Sequence, residues 1–301
     1  MQNENCTLCG NSKYKQIYRI KNCSVVKCIN CFHTYSIINE DIDLEELYSK
    51  GDYEMFDSKK TILESIIYFE NNLIFRKIKK ISKAGDFLLD FGCGKGKFLY
   101  AVKKNNWRTL GVETSIPRAT YGIKNYNLNV NTNFYNGGEI EGAPFDVITL
   151  FHVLEHLYTP SEIISNLVNS NLKNGGLLVV EVPNFNSWQS LLAKSNWLHL
   201  DLPKHINHFN INIIKRLILN QKCQIIKIEN FSFIAGVLGM SNSIMNIFGY
   251  KKNVMSELKY NRSLSLMIKL IISLPISFLL EIIASLFKRG GVIRIYAIKK
   301  D

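Results

Sequence analysis

Phe87-Leu-Leu-Asp90-Phe-Gly92-Cys-Gly94-Lys-Gly96-Lys-Phe98 decides how this chain folds: an apolar run ends in an acid, glycines follow on alternate positions, and an amphipathic pattern takes over. That order predicts a strand, a tight turn that glycine makes most easily, and a helix whose first N–H groups point at whatever lies above the strand. The Gly-x-Gly-x-Gly spacing is one residue tighter than the dinucleotide fingerprint and leaves no room for a pyrophosphate. It fits a nucleoside without phosphates; a plain strand-to-helix corner is the bland alternative.

Downstream, Arg108-Thr-Leu-Gly-Val-Glu113 predicts a second strand ending in an acid, at the distance where a carboxylate meets ribose hydroxyls in a βαβ unit. Phe145–Phe151 predicts a third strand. Gly175-Gly176 opens a fourth, Leu177–Val182, closed by Pro183. Lys222–Glu229 and Gly291–Ile298 read as the last two, the final one antiparallel. The expected fold is α/β, with a doubly wound, seven-stranded Rossmann-like sheet.

With these residues in place, the chain resembles the class I S-adenosylmethionine-dependent methyltransferases. The resemblance implies that Asp90, Gly92, Gly94 and Gly96 line the methionine and ribose of the cofactor, and that Glu113 holds the ribose. For the adenine, Asn133, Asn136 and Glu139 are equal candidates, and Phe134 either stacks on the ring or belongs to the core.

Near the N-terminus, Cys6-x-x-Cys9 and Cys28-x-x-Cys31 stand 18 residues apart. Two such knuckles predict a tetrahedral site, so the four cysteines are the expected ligands of a structural Zn(2+), in a module too small to bury its own core. Cys23 and His33 are read as a free thiol and a surface imidazole. A minority of the family, sugar methyltransferases among them, carry a similar module on the substrate side. Residues 1–40 are therefore assigned to zinc binding, 41–83 to a helical cover that includes Leu44–Tyr48 and Thr61–Ile81, 84–230 with 291–301 to the methyltransferase core, and 231–290 to an apolar helical insert. Tyr48, Tyr53 and Phe56 are read as core or as contacts to the ligand.

The net charge of +12 raises the question of nucleic acid, but the basic residues are dispersed and do not alternate with aromatics. The expected partner is a small-molecule or glycan acceptor. Paired cysteines and the lack of a basic-then-apolar leader point to the cytoplasm.

His152-Val-Leu-Glu155-His156 matches the inverted zinc-protease signature. Its position just after a sheet strand argues against a protease and for a ligand pocket at the carboxyl edge. In the methyltransferases this chain resembles, a similar run lies near the sulfonium and the substrate, which makes His152 a cofactor contact and His156 a catalytic candidate. A cluster from Trp188 to Phe209 includes Lys204-His205; zinc-module sugar C-methyltransferases carry Glu-His there. The imidazole is retained and the carboxylate is missing, so deprotonation of a hydroxyl fits better than deprotonation of carbon. His205 is the expected general base, His156 the next choice and His208 a structural partner.

Leu264–Phe287 is heavily apolar, with Lys269 and Glu281 within it and Pro275 expected to break it into two short helices. The uncharged stretch Leu270–Leu280 falls short of the ~20 residues needed to span a bilayer. The segment reads as a peripheral contact with the inner face of the membrane, a homodimer interface or a lid. The activity expected overall is O-methylation of a sugar, sugar nucleotide or surface-glycan intermediate. A lipid-linked, quinone-type acceptor and a non-catalytic adenosylmethionine or zinc module are the alternatives.

Overall fold

A computed structural model of the chain describes residues 4–38, 62–260 and 263–300. Leu44–Tyr48, Tyr53 and Phe56 lie outside the described residues. In chain order the elements are β1 (Tyr14–Ile20), β2 (Cys23–Cys28), β3 (Thr34–Ile38), α1 (Ile62–Ile81), β4 (Phe87–Phe91), α2 (Lys97–Lys103), β5 (Arg108–Val112), α3 (Ile116–Tyr126) and β6 (Val130–Asn131). There follow β7 (Phe145–Phe151), α4 (Pro160–Asn166), β8 (Leu172–Pro183), α5 (Trp188–Ala193), β9 (Asn207–His208), α6 (Ile211–Leu219) and β10 (Cys223–Glu229). The insert contributes α7 (Gly239–Ile247), α8 (Val254–Tyr260) and α9 (Leu264–Leu286) before β11 (Val292–Lys299).

Seven strands form one sheet in the order β10-β11-β8-β7-β4-β5-β6, with β11 antiparallel to both neighbours and β4, β5, β6, β7 and β8 parallel. From β4 the chain winds outward through β5 and β6, then returns to β7 on the other side. The crevice at the carboxyl ends of β4 and β7 is thus the switch point where open α/β sheets take ligands. Successive residues serve opposite faces, as the pleat requires: Leu89, Ile148 and Val180 pack on one side, Leu88, Val147 and Val179 on the other. Both faces are covered, which explains the nearly unbroken apolar runs.

The N-terminal strands form a second sheet, β1-β2-β3-β9, whose fourth strand comes from the segment after α5. What reads in sequence as a connector is therefore part of the cysteine module. His33, expected at the surface, is fully buried there, with Nε2 against Asn207 Oδ1 at 3.0 Å. Burial alone explains the correction: β9 roofs a site that β1–β3 would leave open.

Pro275 does not break the apolar insert. Leu264–Leu286 is one helix of 23 residues running through it, long and apolar enough to cross a membrane by length and composition, with mean hydropathy 2.2 over its 18-residue window. The missing proline N–H is tolerated in a helix held by other polar contacts on its inner face. Ser273 bonds Ser241 of α7 at 2.7 Å, and Ser277 donates to the Ser273 carbonyl at 2.7 Å.

Candidate active site

The glycine turn follows β4 directly. Gly92, Gly94 and Gly96 all have positive φ, at 75°, 56° and 72°. A side chain on Gly96 would place its Cβ 2.2 Å from Leu128 Cδ1, whereas one on Gly94 would enter open space. Gly96 thus lets the turn seat against the core, and Gly94 leaves bare backbone facing outward.

Glu113, just beyond β5, ties this turn down: Gly94 N–H donates to Oε2 and Ser115 N–H to Oε1, both at 2.8 Å. Each carboxylate oxygen keeps accepting capacity for a hydroxyl. Asp90 is buried at the end of β4, takes the Thr149 hydroxyl at 2.7 Å, and is pushed up to about 7 by burial, against the pull of that bond.

The glycine turn and Asp90 open onto a cleft of about 460 Å³ lined by Asp90, Gly92, Gly94, His152, Glu70 and Glu181 among others, while Glu113, buried and bonded to the turn, is not one of its lining residues. Its wall includes Ile67, Glu70 and Ile74 of α1, which places that helix beside the glycine turn; Glu70 accepts from the Phe233 and Ile234 amides at 3.1 and 3.2 Å. A larger concavity, about 740 Å³, lies at the amino ends of β4 and β5, against Phe87, Trp107, Arg108 and Asn133, away from the titratable cluster. Phe134 is exposed rather than part of the core.

His152 has a φ of 55° in the left-handed region, unusual for a non-glycine residue and a common device at sites. The twist sets Nε2 3.0 Å from Glu181 Oε1 and Nδ1 3.2 Å from Glu155 Oε1. Burial opposes its charge, but the two carboxylates prevail and hold the imidazolium to about 10. Burial likewise opposes ionisation of Glu155, and His152 overrides it, holding the carboxyl at about 2.

Glu181 also pairs with Arg294 of β11, which reaches Glu229 at 3.4 Å and Glu70 at 3.7 Å. One buried guanidinium thus serves three carboxylates, of which Glu70 and Glu181 border the cleft. The sequence offered a signal for it: an arginine in the otherwise apolar run Gly-Val-Ile-Arg-Ile-Tyr.

His156 and His205 do not line this cleft; they meet behind His152, with ring centroids 4.7 Å apart at 74°. The His-x-x-Glu-His motif is a 3-10 turn at Leu154–His156, so its two histidines diverge. His208 is buried and shares a 2.7 Å bond with Ser36 of β3. Asn207, which carries no motif signal, joins three segments. Its amide donates to the Leu154 and Leu157 carbonyls at 3.0 and 2.6 Å, and its oxygen contacts Thr7 at 2.6 Å and His33 at 3.0 Å.

In the cysteine module, the sulfurs of Cys6, Cys9, Cys28 and Cys31 lie within 4.8 Å of one another, with Cys6–Cys31 at 3.5 Å and Cys9–Cys28 at 3.6 Å. A tetrahedral ion with metal–sulfur bonds of about 2.3 Å holds its sulfurs roughly 3.8 Å apart, so this set fits a metal; a disulfide needs about 2 Å.

Residues 67–227, more than half of the chain, match the family model described as "Methyltransferase domain". A protein named ubiquinone biosynthesis O-methyltransferase, from Coxiella burnetii (strain RSA 493 / Nine Mile phase I), is 29% identical over 136 residues, covering 42% of this chain and 56% of that protein. The chain therefore spans about half the length of the curated relatives it matches. Among solved structures, a SAM dependent methyltransferase from Archaeoglobus fulgidus aligns at TM-score 0.50 and 21% identity, over 78% of this chain and 97% of that one. Phosphoethanolamine N-methyltransferase 2 of Haemonchus contortus aligns at TM-score 0.53 and 14% identity, over 89% and 64%. At these identities the structures speak for the fold.

Proposed function

This chain belongs to the methyltransferase-domain family, and we propose that it is an S-adenosylmethionine-dependent O-methyltransferase acting on a hydroxyl of a sugar, sugar nucleotide or surface-glycan intermediate. The observation that carries the cofactor reading is the cinched turn. Glu113 holds Gly94 N–H while Gly94 faces open space, at the switch point of the sheet. The cleft is bordered by Asp90, Glu70 and Glu181, carboxylates suited to a ligand bearing an ammonium and a sulfonium. When bound, the cofactor supplies an activated methyl whose sulfur leaves as a neutral thioether. The protein's task is then to align the acceptor and handle one proton.

That proton is assigned to His205, with His156 beside it. His205 sits two residues before Asn207, on the segment that also supplies β9, so the cysteine module shapes the acceptor side. Cys6, Cys9, Cys28 and Cys31 are assigned as ligands of a structural Zn(2+). A lipid-linked acceptor is a second reading, favoured by the outward face of α9, where Ile271 and Ile272 are 69% and 65% exposed. It would place the protein at the inner face of the membrane, and the same face would otherwise pair two copies of the chain.

Calorimetric titration with S-adenosylmethionine tests the cofactor reading: one site per chain is expected, and no binding would defeat it, a silent module included. Labelled methyl donor with fractionated extract then identifies the acceptor; label found only in lipid or protein fractions would remove the glycan reading. His205→Ala is expected to lower turnover at least about 100-fold while leaving cofactor affinity within about threefold. Unchanged turnover would remove His205 from its role.

A further inference from the structure

The two imidazoles behind the cleft share a geometry beyond what a general base needs. His156 Nδ1 lies 3.0 Å from the Lys204 carbonyl, and His205 Nδ1 lies 2.8 Å from the His199 carbonyl. A carbonyl only accepts, so each ring carries its proton on Nδ1 and offers a lone pair at Nε2. Glu155 is 1% exposed; its Oε1 is taken by His152, and its Oε2 is buried with no hydrogen-bond partner. A carboxylate oxygen of Glu155 and one ring nitrogen from each histidine lie within 4.8 Å of one another. Three acceptors thus converge in a buried place, and a buried oxygen without a donor is costly unless a cation meets it.

We propose that Glu155, His156 and His205 bind one divalent first-row cation, separate from the four cysteines. Two imidazoles and one carboxylate suit Mn2+, Co2+ or Zn2+ and leave positions for an exchangeable ligand. The carbonyls behind each Nδ1–H fix the rings as supports of metal-bound histidines do. Glu155 Oε1 bonds His152, which lines the cleft, so the cation would sit one residue behind the cleft wall.

With the cation bound, the Nε2 lone pair of His205 would be taken, so ligation would replace the proton capture assigned to that residue; this part rests on the methyltransferase reading.

The test is Mn2+ titration of the full chain loaded with a single equivalent of zinc, which the four thiolates take first, followed by electron paramagnetic resonance without methyl donor. A thiolate site that holds zinc does not yield to Mn2+. One Mn2+ per chain is expected, weakened at least about tenfold in Glu155→Gln and in His205→Ala. Melting and S-adenosylmethionine binding of the variants report whether they fold. Absence of Mn2+ and Co2+ binding by the wild type, or equal binding by both folded variants, overturns the site. Full-rate transfer with these cations withheld overturns the exchange of roles at His205 and leaves the methyltransferase reading intact. Failure to bind S-adenosylmethionine breaks that reading, while the Mn2+ result stands on its own.

Discussion

The cysteine module and the α9 insert are both additions to the seven-stranded sheet, and they are held by opposite means. The module has a small apolar cluster around Val26, Tyr35 and Ile37, and its order comes from converging sulfurs and hydrogen bonds to the core. Arg216 donates to the Cys31 carbonyl at 2.9 Å, and Ser36 N–H to the Ile206 carbonyl at 2.8 Å. Helix α9 has apolar residues in plenty but turns many of them outward, while Ser273, Ser277 and Glu281 face in. One addition is short of apolar burial and makes up the difference with directed bonds. The other has apolar surface left over.

If that contrast holds, breaking the thiol cluster should have the largest effect. Cys28→Ser, or chelation of the zinc proposed there, is expected to cost about 3–5 kcal/mol or more, since structural zinc sites contribute folding energy outright. Hydrogen exchange would show it as lost protection at Val25, Val26 and Asn207; retained protection in the metal-free chain would mean that packing alone holds the module.

Asn207→Ala comes next. It leaves two carbonyls and the buried His33 without their amide partner, at about 2–3 kcal/mol. Urea unfolding measures the loss, and a cost below about 1 kcal/mol would show that water replaces the amide.

Glu281 tests the insert from its polar side. Buried, and accepting only the Gly291 N–H at Oε1, it is pushed up to about 8 from 4.5, chiefly by burial. Between those values the folded chain binds more protons than the unfolded one. Stability is therefore full below about 4.5 and falls as pH rises towards 8. Glu281→Gln should remove that slope and raise stability near pH 8.5 by a few kcal/mol. Parallel melting curves for the two proteins from pH 5 to 8.5 would contradict it. The smallest effect belongs to the outward face: Ile271→Ser with Ile272→Ser should shift stability by under about 1 kcal/mol, yet abolish flotation with anionic vesicles. Flotation that survives the pair would remove the membrane reading.

Six of the sheet's seven strands were legible because each carries apolar residues in a run or alternation of its own, while β6, only Val130 and Asn131, was not; the glycine turn was legible because conformation restricts it residue by residue. Asn207 was not, since its four partners come from Thr7, His33, Leu154 and Leu157, and nothing local marks an asparagine as a joint. The same distance hid β9, two residues long, whose pairing depends on β3 rather than on any pattern of its own. In α9, proline in sequence argued for a break. The side-chain contacts that keep the helix whole come from α7, in a different segment. Within the candidate site, the positions of Asp90 and Glu113 at the strand ends beside the glycine turn were legible, whereas the shared orientation of His156 and His205 depends on carbonyls that only the fold brings near.

The placement of Arg294 has a consequence for the order of assembly. Its strand is the last of the described strands in sequence and inserts between β8 and β10. Until it arrives, Glu70, Glu181 and Glu229 lack the guanidinium that offsets their mutual repulsion. During synthesis the nascent chain can form its glycine turn and parallel strands early, but the ligand cleft becomes electrostatically complete only when that final strand threads home.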